Sequence, residues 1–216
     1  MNKSLLAGLS LTLLAVFAPA QAIVIGDLSS RDDNCYPFGC ATGSGHFQQS
    51  YYYTQFSGPM TFSSLTVFGQ KLPDWTNGTN LSTGKFTISL STSQKFGFPQ
   101  DENLGWNNTV VYSGALGNLD AQGNLKIQFA TNFYYDPRTT SDLLLDIKWD
   151  SAASSARPVY FLESPGLVMS SLDSPWSIRY RGLVTEFAQV PEPASLALLG
   201  IGLLAVGAGR RKSVRG

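Results

Sequence analysis

The sequence predicts one all-β domain over residues 23–189, a single antiparallel β-sandwich or jelly-roll-like fold. Three observations carry that expectation. Short runs of alternating apolar and polar residues recur, separated by Gly, Pro, Asn and Asp clusters that turn the chain. No helical periodicity of any length appears between residues 23 and 189. Charged residues are only 14% of the chain while Ser, Thr, Gly, Asn and aromatics abound, a composition that suits half-buried strands. No repeat at a fixed period is visible, which counts against a propeller or solenoid.

Ile23–Ser30 is apolar and then polar, a first strand leading into Asn34-Cys-Tyr-Pro-Phe-Gly-Cys40. Gln48–Phe56 is a Tyr-rich strand closed by Ser57-Gly-Pro59. Met60–Gln70 alternates with one slip of register, the mark of a bulge. Leu72–Thr83 and Gln94–Asn108 carry Pro, Asp, Asn and Gly and are expected as loops. Between them, Lys85–Ser91 puts Phe86, Ile88 and Leu90 on one face. Thr109–Leu116 and Leu125–Phe133 bracket a Gly-Asn-Leu-Asp turn. Asp142–Trp149 is apolar on both faces, so it is expected as a central, buried strand. Pro158–Glu163 and Ser177–Gln189 complete about eight or nine strands.

The two ends follow other rules. Lys3 begins a short positive stretch, Leu5–Phe17 is apolar, and Ala20-Gln-Ala22 is a small-x-small cleavage site. Residues 1–22 therefore read as a secretory signal peptide, with Ala18-Pro-Ala20 an alternative cut. The tail, residues 190–216, opens on Pro191-Glu192-Pro193, whose prolines lack amide donors and fix φ, making an extended spacer. Ala194–Ala208 follows, uncharged and rich in Leu, Ala and Gly. As a helix this hydrophobic run spans roughly 22 Å, short of a hydrocarbon core of about 30 Å, so it crosses a membrane only marginally. Arg210, Arg211, Lys212 and Arg215 close the chain and, by the positive-inside rule, place the C-terminus in the cytoplasm. The domain between the two ends holds ten Lys and Arg against fourteen Asp and Glu. That balance, about −4, argues against a nucleic-acid or anionic-membrane partner.

Pro191-Glu192-Pro193, the short apolar helix and Arg210-Arg211-Lys212, in that order at the end of the chain, resemble the PEP-CTERM sorting signal of Gram-negative bacteria that make exopolysaccharide. The resemblance implies that an exosortase, a membrane enzyme, recognises and cleaves the tail after transient anchoring in the inner membrane. The product then goes to the cell surface or matrix. Asn34-Cys-Tyr-Pro-Phe-Gly-Cys40, Phe47-Gln-Gln-Ser-Tyr51, Tyr135-Asp-Pro and Leu143-Leu-Leu-Asp-Ile147 resemble a recurrent, uncharacterised secreted β-sandwich type that ends in such a tail. Neither resemblance brings an activity with it.

Cys35 and Cys40 are the only cysteines. In an exported chain they are read most simply as a small disulfide loop, with Pro37 and Gly39 supplying the turn. A zinc site would want more ligands, and His46 is the only histidine. His46 is expected in a surface loop, and Gly43-Ser-Gly-His46 is no nucleophile elbow. A glycosidase needs two carboxylates facing each other across a sugar, and the order of the acids suggests no such pair. Most acids are expected to be solvated, and no catalytic residue is expected. Asp32-Asp33-Asn34 and Asp101-Glu102 offer hard oxygens for a structural calcium, without the spacing of a defined calcium loop. No other cofactor is implied. Flat rings stack on sugars, so Trp75 and Trp106 in loops form a candidate glycan platform, whereas Trp149 and alternate tyrosines belong to the core.

These features point to a secreted or surface protein with a non-catalytic structural or adhesive role linked to exopolysaccharide. The alternative is a carbohydrate-binding module using exposed aromatics. A secreted hydrolase would need His46 beside an acid and a serine, or a cleft with convergent carboxylates.

Overall fold

The computed structural model describes residues 21–70, 78–96, 100–154, 157–172 and 178–190, the side chains of 167–172 excepted. The expected signal-peptide and C-terminal helices lie outside the described residues. Among the described residues no helix is long and apolar enough to cross a membrane. Residues 21–190 form one compact unit.

That unit is an all-β sandwich. Its strands are β1 (Ala22–Ile25), β2 (Asp32–Asn34), β3 (Gly43–Tyr51), β4 (Met60–Val67), β5 (Thr83–Ser93), β6 (Thr109–Gly114), β7 (Leu125–Tyr135), β8 (Asp142–Ala153), β9 (Phe161–Leu172), β10 (Ile178–Leu183) and β11 (Thr185–Gln189). The smaller sheet has the order β1-β11-β4-β7. The larger has the order β10-β9-β3-β8-β5-β6, with β2 paired to β9. Every pairing is antiparallel.

Period-2 alternation decides which side chains meet between the sheets. In β7, Leu125, Ile127, Phe129, Phe133 and Tyr135 turn inward. In β4, Met60 and Phe62 are buried from even positions and Leu65 and Val67 from odd ones. The change of parity coincides with a register shift against β7 between Phe62 and Ser64, the bulge that the alternation predicts. Phe62 and Phe187 of the smaller sheet lie 4.8 Å apart between ring centroids, and Tyr51 of the larger sheet meets Phe187 edge-on at 5.2 Å. β8 sits between β3 and β5 and is buried on both faces, as its apolar run predicts: Leu143, Leu145 and Ile147 on one side, Leu144 and Asp146 on the other.

Two expected elements change shape. The Tyr-rich strand begins earlier, at Gly43, and ends at Tyr51, with Tyr53–Gln55 forming a 3-10 turn. The expected strand Ser177–Gln189 divides at the buried Val184, whose N–H donates to Leu162 O (2.9 Å) and whose carbonyl accepts from Phe68 N (3.2 Å). β10 thus belongs to the larger sheet and β11 to the smaller, the corner by which one strand changes layers. Cys35 and Cys40 are joined by a disulfide.

Candidate functional site

The outer face of the larger sheet is covered at its centre. Register sets Gln48 of β3 opposite Asp146 of β8, Asp146 opposite Ser89 of β5, and His46 opposite Lys148. Alternation then gathers His46, Gln48, Asp146, Lys148, Ser89 and Ser91 on one face. The 3-10 turn Gln100–Asn103 lies over them, burying Gln100 and Asn103 with His46, Gln48 and Asp146.

Buried polar groups need partners, and these have them. His46 Nε2–H donates to Asp146 Oδ1 in a short contact. Gln48 Nε2 donates to the same oxygen at 2.6 Å and to Gln100 O at 3.1 Å. Asn103 Nδ2 donates to Gln48 Oε1 at 2.7 Å. At the rim, Lys148 Nζ reaches Asp101 Oδ1 at 2.8 Å, and this bond holds the Asp101 carboxyl below the usual carboxylate range.

The expectation of a surface-loop histidine is therefore corrected: His46 is a buried strand residue paired with an acid. The misreading came from Gly43-Ser-Gly, which has loop composition but belongs to β3. Glycine stands at position 45 because a Cβ there would lie 2.2 Å from the ring of Trp149. Asp146 likewise corrects the expectation of a solvated acid.

The same covering loop carries Trp106. Gly105 N–H donates to Ser91 Oγ at 3.2 Å on one side of it, and Asn107 Oδ1 accepts from Thr92 N at 2.8 Å on the other. A Cβ on Gly105 would fall 1.8 Å from Thr92 O, so only glycine permits this approach. The loop is tied down on both flanks of Trp106, yet the indole itself is 96% exposed. Beside it lies a recess of about 310 Å³ lined by Ser93, Gln94, Asn103 and the Lys95–Glu102 ion pair (2.6 Å). Trp75, the other half of the expected platform, lies outside the described residues.

The carboxylates considered for calcium are placed differently. Asp32-Asp33-Asn34 is not a loop but β2, and Asp32 pairs with Arg181, while Asp101 and Glu102 pair with Lys148 and Lys95. Among the described residues no group of three or more His, Cys, Asp or Glu is arranged to hold a metal. Opposite Asp32, Glu163 is buried within 3.6 Å of Arg181. Burial raises its carboxyl pKa, outweighing the opposing pull of Arg181 and Arg179. A raised folded-state pKa contributes stability that is full below the unfolded value and lost as pH rises through the folded one. Glu163→Gln, which mimics the protonated acid, is therefore expected to gain in Tm relative to wild type between about pH 4 and about pH 7. Thermal melts at the two pH values check it, and a difference that shrinks with rising pH contradicts it.

The His46–Asp146 network escapes sequence reasoning because its halves lie far apart in the chain and meet only through the β3–β8 register. Alternation within each strand shows which residues share a face, but not which acid faces which histidine.

Fold and site together define an all-β sandwich with a tied, fully exposed indole on one face. Its last strand, β11, ends at Gln189, and Val190 N–H still donates to Thr61 O at 2.9 Å. The family model of the PEP-CTERM protein-sorting motif matches residues 189–212, starting on that last strand residue. The chain thus carries an exosortase sorting signal and is an extracellular protein sorted to the cell surface by that route. The individual residues assigned to the signal, Pro191, Glu192, Pro193, Arg210, Arg211 and Lys212, lie outside the described residues. No curated protein and no solved structure matches the chain.

Proposed function

We propose that this protein is a non-catalytic adhesive component of the cell surface or polysaccharide matrix, with Trp106 in its contact with glycan. The observation that carries the reading is the indole itself. Ordered backbone on both sides holds a large apolar ring in water, beside a recess of polar side chains. A ring so placed is suited to cover the C–H face of a sugar while neighbouring amides and hydroxyls meet its polar edge. Retention on immobilised polysaccharide from the producing cells tests it. Trp106→Ala is expected to lose retention with an unchanged Tm, since an exposed side chain changes stability by only about 0.5 kcal/mol. Equal retention of variant and wild type removes Trp106 from the reading.

A hydrolase is the second reading, favoured by His46 beside Asp146. Two features weigh against it. The pair is buried beneath the loop, and Nε2, the nitrogen that a triad histidine turns to its nucleophile, faces the acid here. Ester or glycoside hydrolysis that is lost in His46→Gln would revive it.

A further inference from the structure

We propose that a second groove, at the opposite end of β5 from Trp106, binds an uncharged stretch of oligosaccharide. The proposal rests on the adhesive reading and names its ligand class. The groove is about 1100 Å³, runs between residues 78–84 and the β6–β7 connection, and shares no lining residue with the Trp106 recess.

Its walls are fixed before any ligand arrives. Asp120 Oδ1 accepts from the backbone N–H groups of Gln122 and Asn124, both at 2.8 Å, and Oδ2 accepts from Asn124 Nδ2 at 3.0 Å. These bonds shape one wall and engage the only carboxylate among the described residues of the lining, which include no Lys, Arg or His. On the other wall, Ser82 N–H donates to Phe38 O at 2.8 Å, tying it to the disulfide loop. The described lining therefore offers a charged ligand no counter-charge, and a buried or half-buried charge without one is disfavoured.

What it offers instead is mixed. Leu81, Leu116 and Leu119 pack against the core and give apolar surface. Asn118 and Gln122 are exposed at the edge. Ser82 lines the groove, is 2% exposed, and its hydroxyl has no hydrogen-bond partner among the described residues. An unpartnered buried hydroxyl is destabilising for the empty fold and is suited to a ligand hydroxyl. Uncharged sugars supply both the C–H faces and the hydroxyls.

The test is an array of neutral and charged glycans probed with the exported protein, followed by titration of the glycans bound. Neutral glycans are expected to bind. Ser82→Ala is expected to weaken them about tenfold, the loss of one hydrogen bond, while Tm stays level or rises because the orphan hydroxyl is gone. That opposition of stability and affinity is not produced by a merely structural serine. Asn118→Ala with Gln122→Ala, both at exposed positions, is expected to weaken binding likewise. Preference for charged glycans, or groove variants that bind like wild type, overturns the proposal. If Trp106→Ala alone abolishes binding, the adhesive reading stands and the groove falls. If no glycan binds, both fall.

Discussion

Phe38→Ala is expected to lower the unfolding free energy by about 3–5 kcal/mol, more than removal of the disulfide that encloses it. Phe38 lies in the loop closed by Cys35 and Cys40 and is fully buried. Its ring stands 6.0 Å from Phe86 of β5 and 6.0 Å from Phe161 of β9, the latter edge-on. The loop is a plug seated in the larger sheet's side of the core. Truncating it opens a cavity that backbone on both flanks prevents from collapsing: Gly39 N–H donates to Cys35 O at 2.6 Å, and Phe38 O accepts from Ser82. Opening the disulfide in a Cys35→Ser, Cys40→Ser variant relaxes a ring with a sequence separation of only 5, worth about 2 kcal/mol of chain entropy. Urea unfolding of the two variants at equal m-value gives the ranking. If the cysteine variant proves the less stable, ring closure and not the plug holds this end of the sandwich.

The same loop shows what was legible. Two cysteines five positions apart, with Pro37 and Gly39 between them, predict a small closed turn from local chemistry alone. That Phe38 points into the core, against residues far along the chain, is set by tertiary packing. Local signals likewise predicted the buried β8 from its two apolar faces and the β4 bulge from one break of parity. They failed where a long-range partner overrode composition. Gly43-Ser-Gly45 reads as a loop, but Trp149 fills the space that a side chain at position 45 would need. Asp32-Asp33 reads as a loop, but β9 offers the segment a ladder and Arg181 neutralises Asp32. Trp106 in a loop was legible, while the bonds that hold that loop come from Gln48, Ser91 and Thr92 on two separate strands. The sorting tail was the most legible part, because order and charge along a few residues are the signal itself.

Asp146→Ala is expected to be strongly destabilising, at about 1–3 kcal/mol for each buried donor that loses its acceptor. In the wild type, Asp146 Oδ1 serves His46 and Gln48 together, with the acid 3% exposed. Alanine takes from His46 Nε2 its acceptor and leaves Gln48 Nε2 with Gln100 O alone. Asp146→Asn keeps one oxygen and is expected to cost less. The damage should also travel. Gln48 holds Gln100 O and receives Asn103, so its disorder loosens the loop that presents Trp106. Faster hydrogen exchange at residues 100–108, beyond what global destabilisation explains, is the expected sign. Wild-type exchange in that loop would show that the network does not anchor it. A third variant separates the two effects. Replacing His46, Gln48 and Asp146 together with apolar residues leaves no orphaned donor from the pair, so stability should recover relative to Asp146→Ala. The loop has then lost Gln48 all the same. A protein that is stable but exchanges rapidly at residues 100–108 would show that the sheet tolerates the loss of this network, and that the network's specific role is to hold the Trp106 loop in place.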